Sequence, residues 1–223
     1  MGLFDRFKSN KATALPKGAH LLTVKSVQAL SPEAVQIQFT VPTELSQQFK
    51  FQAGQYLTLA LDINGEQLRR SYSICSSTAE ELSIGVKAIA NGKASNYLQK
   101  ISTGTEMVVF EPEGQFVWKP EYKKVVAIAA GSGITPIMSM LKTAGTHTEF
   151  QLFYGNKSQK EALFLSQIQA LSNTQTHFFY SQENVAGAHH GRIDDAALKE
   201  QIKQDLNLLQ ADAFFLCGPQ QLV

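Results

Sequence analysis

From residue 20 to about residue 112 apolar and polar positions alternate in short runs; beyond Lys124 the alternation gives way to continuous apolar stretches. The alternating runs cover residues 21–29, 34–41, 56–63, 68–74, 82–89 and 105–110. A period of two sends successive side chains to opposite faces, so each run predicts a strand with one face in a core. Breaks fall at Ser31-Pro32-Glu33, Asn64-Gly65 and Asn91-Gly92. Asn64-Gly65 is the strongest hairpin signal, because a tight two-residue turn asks for positive φ at both positions. Six strands with one helix among them, expected over residues 94–101, predict an antiparallel barrel, whose closure removes exposed edges.

The second half has another rhythm. Val125-Val126-Ala127-Ile128-Ala129-Ala130 is the signature of a strand buried on both faces. Helical spacing follows over 136–142, then a strand over 150–154, a helix over 160–171, a strand over 177–180, a helix over 194–209 and a strand over 213–217. This order predicts a parallel sheet covered by helices on both faces. The expected layout is a leader (1–17), a barrel domain (18–118) and an α/β domain (119–223).

Composition changes little in this picture. With 43% hydrophobic and 17% charged residues the chain reads as an ordinary globular protein, and a net charge of +1 speaks against a general nucleic-acid or anionic-membrane surface. Cys75 and Cys217 are too few for a disulfide framework and lack zinc spacing. The start lacks a secretory pattern, and the apolar stretch 125–141 is interrupted by Gly131, Gly133 and Pro136, so a cytoplasmic setting is expected.

Chemistry-bearing residues gather in three places. Arg69-Arg70-Ser71-Tyr72-Ser73-Ile74 sets cations, a ring and hydroxyls on one strand, with Arg70, Tyr72 and Ile74 sharing a face. Such a set suits a flat, phosphorylated ligand: arginine grips phosphate with two parallel hydrogen bonds, and tyrosine packs on a ring. Arg69 falls on the other face and reads as a solvated charge. Gly131-Ser132-Gly133-Ile134-Thr135-Pro136 stands where a buried strand hands over to a helix, with Thr135 expected as the cap and Pro136 at the first helical position. Glycines there allow a diphosphate to approach the backbone, although the third glycine of the usual dinucleotide fingerprint is absent. Cys217-Gly218-Pro219 ends the last strand at the sheet's carboxyl edge, where α/β proteins collect ligands. A weaker phosphate cradle is suggested by Gly85-Val86-Lys87 with Gly92, Ala94 and Ser95. His189 and His190 read as loop residues.

Arg70-Ser71-Tyr72-Ser73, Gly131–Pro136 and Cys217-Gly218-Pro219, in this order and on this layout, resemble the ferredoxin-NADP reductase superfamily over residues 18–223. Residues 68–75, 86–89, 153–156 and 190–194 are similar to its oxygenase-reductase subgroup, which includes the reductase component of phenylacetyl-CoA epoxidase. The resemblance implies a six-stranded FAD-binding barrel followed by an NAD(P)H-binding α/β domain incomplete at its C-terminus. It implies that Arg70 binds the FAD pyrophosphate, that Tyr72 packs on the isoalloxazine and that Ser73 hydrogen-bonds near its N5 atom. Val86, Lys87, Gly92, Ala94 and Ser95 would line the FAD path. Gly131, Gly133 and Thr135 would hold the nicotinamide dinucleotide, and Cys217 and Gly218 would face the nicotinamide ring. Residues 111–116 would join the domains.

By the same resemblance the protein passes electrons from NAD(P)H through flavin to an iron–sulfur centre, in an oxygenase or epoxidase complex or a ferredoxin domain. The subgroup's [2Fe–2S] domain is expected only in a missing C-terminal part. Flavodoxin, a ferric chelate or oxygen stay open as acceptors, as does a binding protein of the same fold with no redox role. Ser181 stands where NADPH-using relatives hold a 2′-phosphate, but Gln182 and Glu183 follow it. Lys157 and Arg192 offset that charge, and the subgroup favours NADPH, with NADH left open.

Overall fold

The computed structural model describes residues 15–220 and residue 222, so most of the expected leader lies outside the described residues. Six antiparallel strands build the first domain: β1 (Ala19–Ser31), β2 (Ala34–Thr40), β3 (Tyr56–Ile63), β4 (Glu66–Ser73), β5 (Ser83–Lys87) and β6 (Glu106–Phe110). Their order is β4-β3-β6-β1-β2-β5. The two end strands meet through a bridge between Ile74 and Ile84, which closes the sheet into the expected barrel. Asn64 (φ 55°) and Gly65 (φ 82°) form the tight turn between β3 and β4, and Gly65 N–H donates to Asp62 Oδ1 at 2.9 Å. Leu22, Val24, Ile37, Phe39, Leu57, Leu59, Ile84 and Val109 fill the barrel, each at most 1% exposed. The one helix between strands, α1 (Lys93–Leu98), packs Ala94 and Leu98 against that core.

The second domain is a parallel sheet of order β10-β9-β8-β7-β11, formed by β7 (Lys124–Ala130), β8 (Glu149–Asn156), β9 (Thr174–Tyr180), β10 (His189–His190) and β11 (Ala213–Cys217). Helix α2 (Ile134–Ala144) buries Ile134, Ile137, Met138 and Leu141 against Ala127, Ala129, Leu152 and Tyr154 on one face. On the other face Val126, Phe153 and Phe179 pack with Ile193 and Leu208.

Three expectations are corrected. The helix expected over 160–171 shrinks to a turn at Gln159–Glu161 and a short α3 (Leu165–Gln169). Ala162, Leu163 and Phe164 between them are all at most 4% exposed, and the chain enters α3 through Phe164 at φ 58°. The left-handed backbone at Phe164 cannot continue a right-handed helix, so the segment divides there. The helix expected over 194–209 is α4 (Asp195–Gln204), capped by the Asp194 carboxylate accepting from Ala197 N–H at 2.8 Å. It stops at Asp205, whose side chain accepts from Asn207 N–H at 3.0 Å and starts a separate turn over Leu206–Gln210. Finally, His189 and His190 form a short edge strand, pairing with Phe179 and Tyr180; His189 stacks on the Phe179 ring at 4.5 Å.

The domains share a packed boundary. Ala34, Ala53 and Cys75 of the barrel belong to the same apolar cluster as α2. The joining segment packs Phe116 edge-on against Phe215, with ring centroids 5.1 Å apart. Ser139 Oγ, fully buried on α2, donates to the carbonyl of Ser76 at 2.7 Å. One turn on, Lys142 pairs with Glu80 at 3.4 Å. Replacing Ser139 with alanine leaves a buried carbonyl without its donor, a loss of about 1–3 kcal/mol. In a thermal melt the Ser139→Ala protein is therefore expected to unfold roughly 2–12 °C lower; an unchanged midpoint contradicts this role.

Candidate active site

One continuous cleft runs along the domain boundary, bordered by β4, β5 and the turn before α1 on one side and by the ends of β7, β8 and β11 and the residues that follow β9 on the other. It encloses about 1270 Å³, more than the roughly 300–1,000 Å³ of a single-ligand pocket.

The barrel wall begins with β4. Arg70 and Tyr72 pair with Leu59 and Leu57 of β3 and so share a face, as alternation requires. Because β4 ends the strand order, the cleft meets its edge, and Ser71 and Ser73 border it as well. Arg70 is exposed, and its Nη1 donates to the carbonyl of Arg69 at 2.7 Å. Tyr72 is half-buried; burial raises the pKa of its phenol, with Arg70 pulling the other way. The hydroxyl is therefore a donor at neutral pH. Arg69 is not merely a solvated charge, since its guanidinium lies 4.7 Å from the centre of the Phe110 ring.

On β5 only Gly85 and Lys87 border the cleft. Val86, expected beside them, turns a fully buried side chain into the barrel, and its carbonyl accepts from Gln99 Nε2 at 3.0 Å. Lys87 pairs with Glu161 of the second domain at 3.1 Å. Gly92, Ala94 and Ser95 line the cleft's end. The Ser95 hydroxyl is committed to the turn: it accepts from Ile89 N–H at 3.1 Å and donates to the Gly92 carbonyl at 3.4 Å. Lys93 pairs with Glu66.

The opposite wall is built on glycine. Gly131 has φ 54°, and a Cβ there would meet nothing within 4 Å. Gly133 shows the reverse: a Cβ would lie 2.1 Å from the Cys217 carbonyl oxygen, so the end of β11 rests directly on this turn. Residues Gly131–Gly133 wind as a tight turn that passes straight into α2. The helix thus begins at Ile134, Pro136 is its third residue, and the cap position is Gly133 without a side-chain bond. Thr135 does not cap; already inside the helix, it donates backward to the Ser132 carbonyl at 2.9 Å. Cys217 and Gly218 border the cleft beside it.

Tyr154 is a site residue that motif reasoning passed over. Its hydroxyl donates to the Gly131 carbonyl at 3.3 Å and accepts from Leu163 N–H at 3.0 Å, holding the glycine turn to the following loop. Its signal lay in the likeness of residues 153–156 to the subgroup, which gave Tyr154 no role of its own. Toward the far end lie Asn156, Lys157, Ser181, Gln182 and Arg192. Glu183 is drawn aside, its carboxylate accepting from Gln159 N–H at 2.7 Å.

The lining fits a flavin and a dinucleotide. Arg70, Lys87, Lys93, Lys157 and Arg192 outnumber Glu66, Glu161 and Asp194, which suits diphosphates. Tyr72 offers a ring surface, and the open space at Gly131 admits a ligand to the backbone. Fold and site together define a two-domain oxidoreductase of the flavin- and dinucleotide-binding class. Residues 21–118 match the oxidoreductase FAD-binding domain, and residues 127–223 the oxidoreductase NAD-binding domain. The chain belongs to this ferredoxin-NADP reductase family.

It is similar to a component of the 1,2-phenylacetyl-CoA epoxidase of Escherichia coli, with 36% identity over 92% of this chain and 61% of that protein. A flavohemoprotein of Pseudomonas aeruginosa is 33% identical over 92% of this chain and 53% of its own length. The chain thus spans only part of these relatives. A ferredoxin NADP+ reductase from Neisseria gonorrhoeae with bound FAD and NADP shares the fold at a TM-score of 0.79, with 20% identity over 93% of this chain and 88% of that one.

Burial pushes the Cys75 thiol up to about 12 and raises that of half-buried Cys217 as well. Both are neutral thiols at pH 7. Native alkylation at pH 8 followed by peptide mass spectrometry is expected to label Cys217 slowly, faster as pH rises, and to spare Cys75 until unfolding. Early labelling of Cys75 contradicts this burial.

Proposed function

We propose that this protein takes electrons from NAD(P)H onto bound FAD and passes them to a protein acceptor, an iron–sulfur centre of an oxygenase or epoxidase system. The observation that carries the reading is the continuity of one cleft, with a tyrosine, an arginine and a serine on the barrel wall and a glycine turn with Cys217-Gly218 on the other. When bound, FAD would supply the redox chemistry, a hydride acceptor toward NAD(P)H and a one-electron donor toward the acceptor.

The chain's own task is to bind and orient. Arg70 takes the FAD pyrophosphate, supported by an exposed guanidinium beside a cleft that it shares with Tyr72 and Ser73. Tyr72 and Ser73, which line the cleft beside it, would hold the flavin, Tyr72 by packing on its ring and Ser73 by hydrogen bonding. Lys87, Gly92, Ala94 and Ser95 shape the FAD path, with the Val86 contribution confined to its backbone. Gly131, Gly133 and Gly218 admit the dinucleotide to the backbone, Thr135 fixes the glycine turn, and Cys217 lies toward the nicotinamide as a neutral, half-buried thiol. No step asks a side chain to act as acid or base. The acceptor class is supported by the likeness to an epoxidase component.

NADPH is the preferred dinucleotide. The Glu183 carboxylate is turned onto Gln159 N–H and does not line the cleft, which weakens its opposition to a 2′-phosphate, and Lys157, Ser181 and Arg192 border the cleft there.

Purified protein supplied with FAD is expected to acquire flavin absorption, and Arg70→Ala to weaken FAD binding by about 10- to 150-fold, the loss of a charge-assisted phosphate contact of about 1.5–3 kcal/mol. Unchanged affinity contradicts the role given to Arg70. Mixed anaerobically, NADPH is expected to bleach the flavin faster than NADH; a faster NADH reaction overturns the cofactor preference.

A further inference from the structure

We propose that Gly85 is a positioning residue: the notch left by its missing side chain receives the methyl group of Thr135 and sets the gap between the two walls of the cleft. This rests on the functional reading above. Glycine in a strand interior weakens the strand and marks a close approach unless a turn requires it. No turn requires it here. Gly85 lies mid-strand in β5 and is absent from the positive-φ glycines, so its backbone would accept any residue. The reason for glycine is space. A Cβ at this position would lie 2.5 Å from Thr135 Cγ2 and 3.7 Å from Phe164 Cζ, both in the other domain.

Thr135 has no easy retreat. It is 4% exposed, and its Oγ1 is tied to the Ser132 carbonyl at 2.9 Å, so rotating the methyl away breaks that bond. It stands at the second position of α2, directly after the glycine turn, whose carbonyl Tyr154 holds from behind. Phe164, in left-handed conformation, closes the notch's other side. The same seam continues to Lys87, two residues along β5, paired with Glu161. Farther along α2 the Ser139–Ser76 hydrogen bond and the Lys142–Glu80 pair pin the helix to the barrel.

Ordinary contact begins at 3.4 Å, so a methyl on Gly85 forces the walls apart by about 1 Å. The wall carrying Tyr72 and Ser73 moves with β5, to which it is joined at Ile74–Ile84; the wall carrying Gly131 and Gly133 moves with Thr135. A misplacement of about 1 Å between reacting partners costs on the order of 10²-fold in rate. Gly85 need touch neither ligand to exert this control.

The test is a double-variant cycle read in two ways. With FAD bound and NADPH saturating, Gly85→Ala is expected to be reduced on the order of 10²-fold more slowly than wild type while holding FAD with similar affinity. Adding Thr135→Ser removes the colliding methyl and keeps the hydroxyl bond, so the double variant is expected to return to the rate of Thr135→Ser alone. The thermal midpoint of flavin-free protein is expected to follow the same pattern. A wild-type rate in Gly85→Ala, or a double variant as slow as the single, overturns the proposal. Should Gly85→Ala fail to fold, recovery of folding in the double variant supports the notch and continued failure overturns it. A wild-type flavin that neither dinucleotide reduces sinks the functional reading instead, while the melting cycle still reports on the notch.

Discussion

Everything at the centre of this molecule depends on β5 of the barrel offering no side chain at Gly85, so that Thr135 at the start of α2 lies directly against it. That approach merges the apolar core of α2 with Ala34, Ala53 and Cys75 of the barrel. It also makes one cleft of what would otherwise be two half-sites. A second close approach, Gly133 beneath the Cys217 carbonyl, fixes the far wall by the same means. At Gly133 the neighbour is the Cys217 backbone and at Gly85 it is the Thr135 methyl, and neither place leaves room for a further methyl group. Interiors packed to crystal-like density transmit such constraints instead of absorbing them.

Electrostatics is arranged around this frame. Cations line the cleft from Lys93 at one end to Arg192 at the other, and the nearby carboxylates are largely engaged: Glu66 with Lys93, Glu161 with Lys87 and Glu183 with a backbone amide. The uncharged groups complement them. Tyr72 and Cys217 are both shifted toward their neutral forms by burial, which suits contact with flat rings more than acid–base work. A site whose redox chemistry comes from a cofactor needs placement and tuning from its protein, and that is what these residues offer.

Much of this was legible before any coordinates. Alternation gave the six barrel strands, the Asn64-Gly65 turn gave the hairpin, and the unbroken apolar run after Lys124 marked an interior strand of the parallel sheet. The site came from three motifs whose meaning depended on their order, because none is specific alone. What escaped has a common cause. The edge strand His189–His190 carries no periodicity, the helix over 160–171 is interrupted where Phe164 takes a left-handed φ of 58°, and Val86 turned inward by simple strand alternation. Thr135 passed for a cap because the tight winding of Gly131–Gly133 cannot be read from residue types. Gly85 and Tyr154 acquire meaning only from contacts with residues 50 and 9 positions or more away, which a local pattern does not record.

The central claim is that both ligands occupy one cleft in direct contact. The most direct measurement is the absorption spectrum of the FAD-loaded protein, reduced without oxygen and then titrated with NADP+. Contact between the two rings predicts a new broad band at long wavelength that grows to saturation with the dinucleotide. A spectrum that stays the sum of its separate components, while binding is shown independently to be complete, contradicts the account.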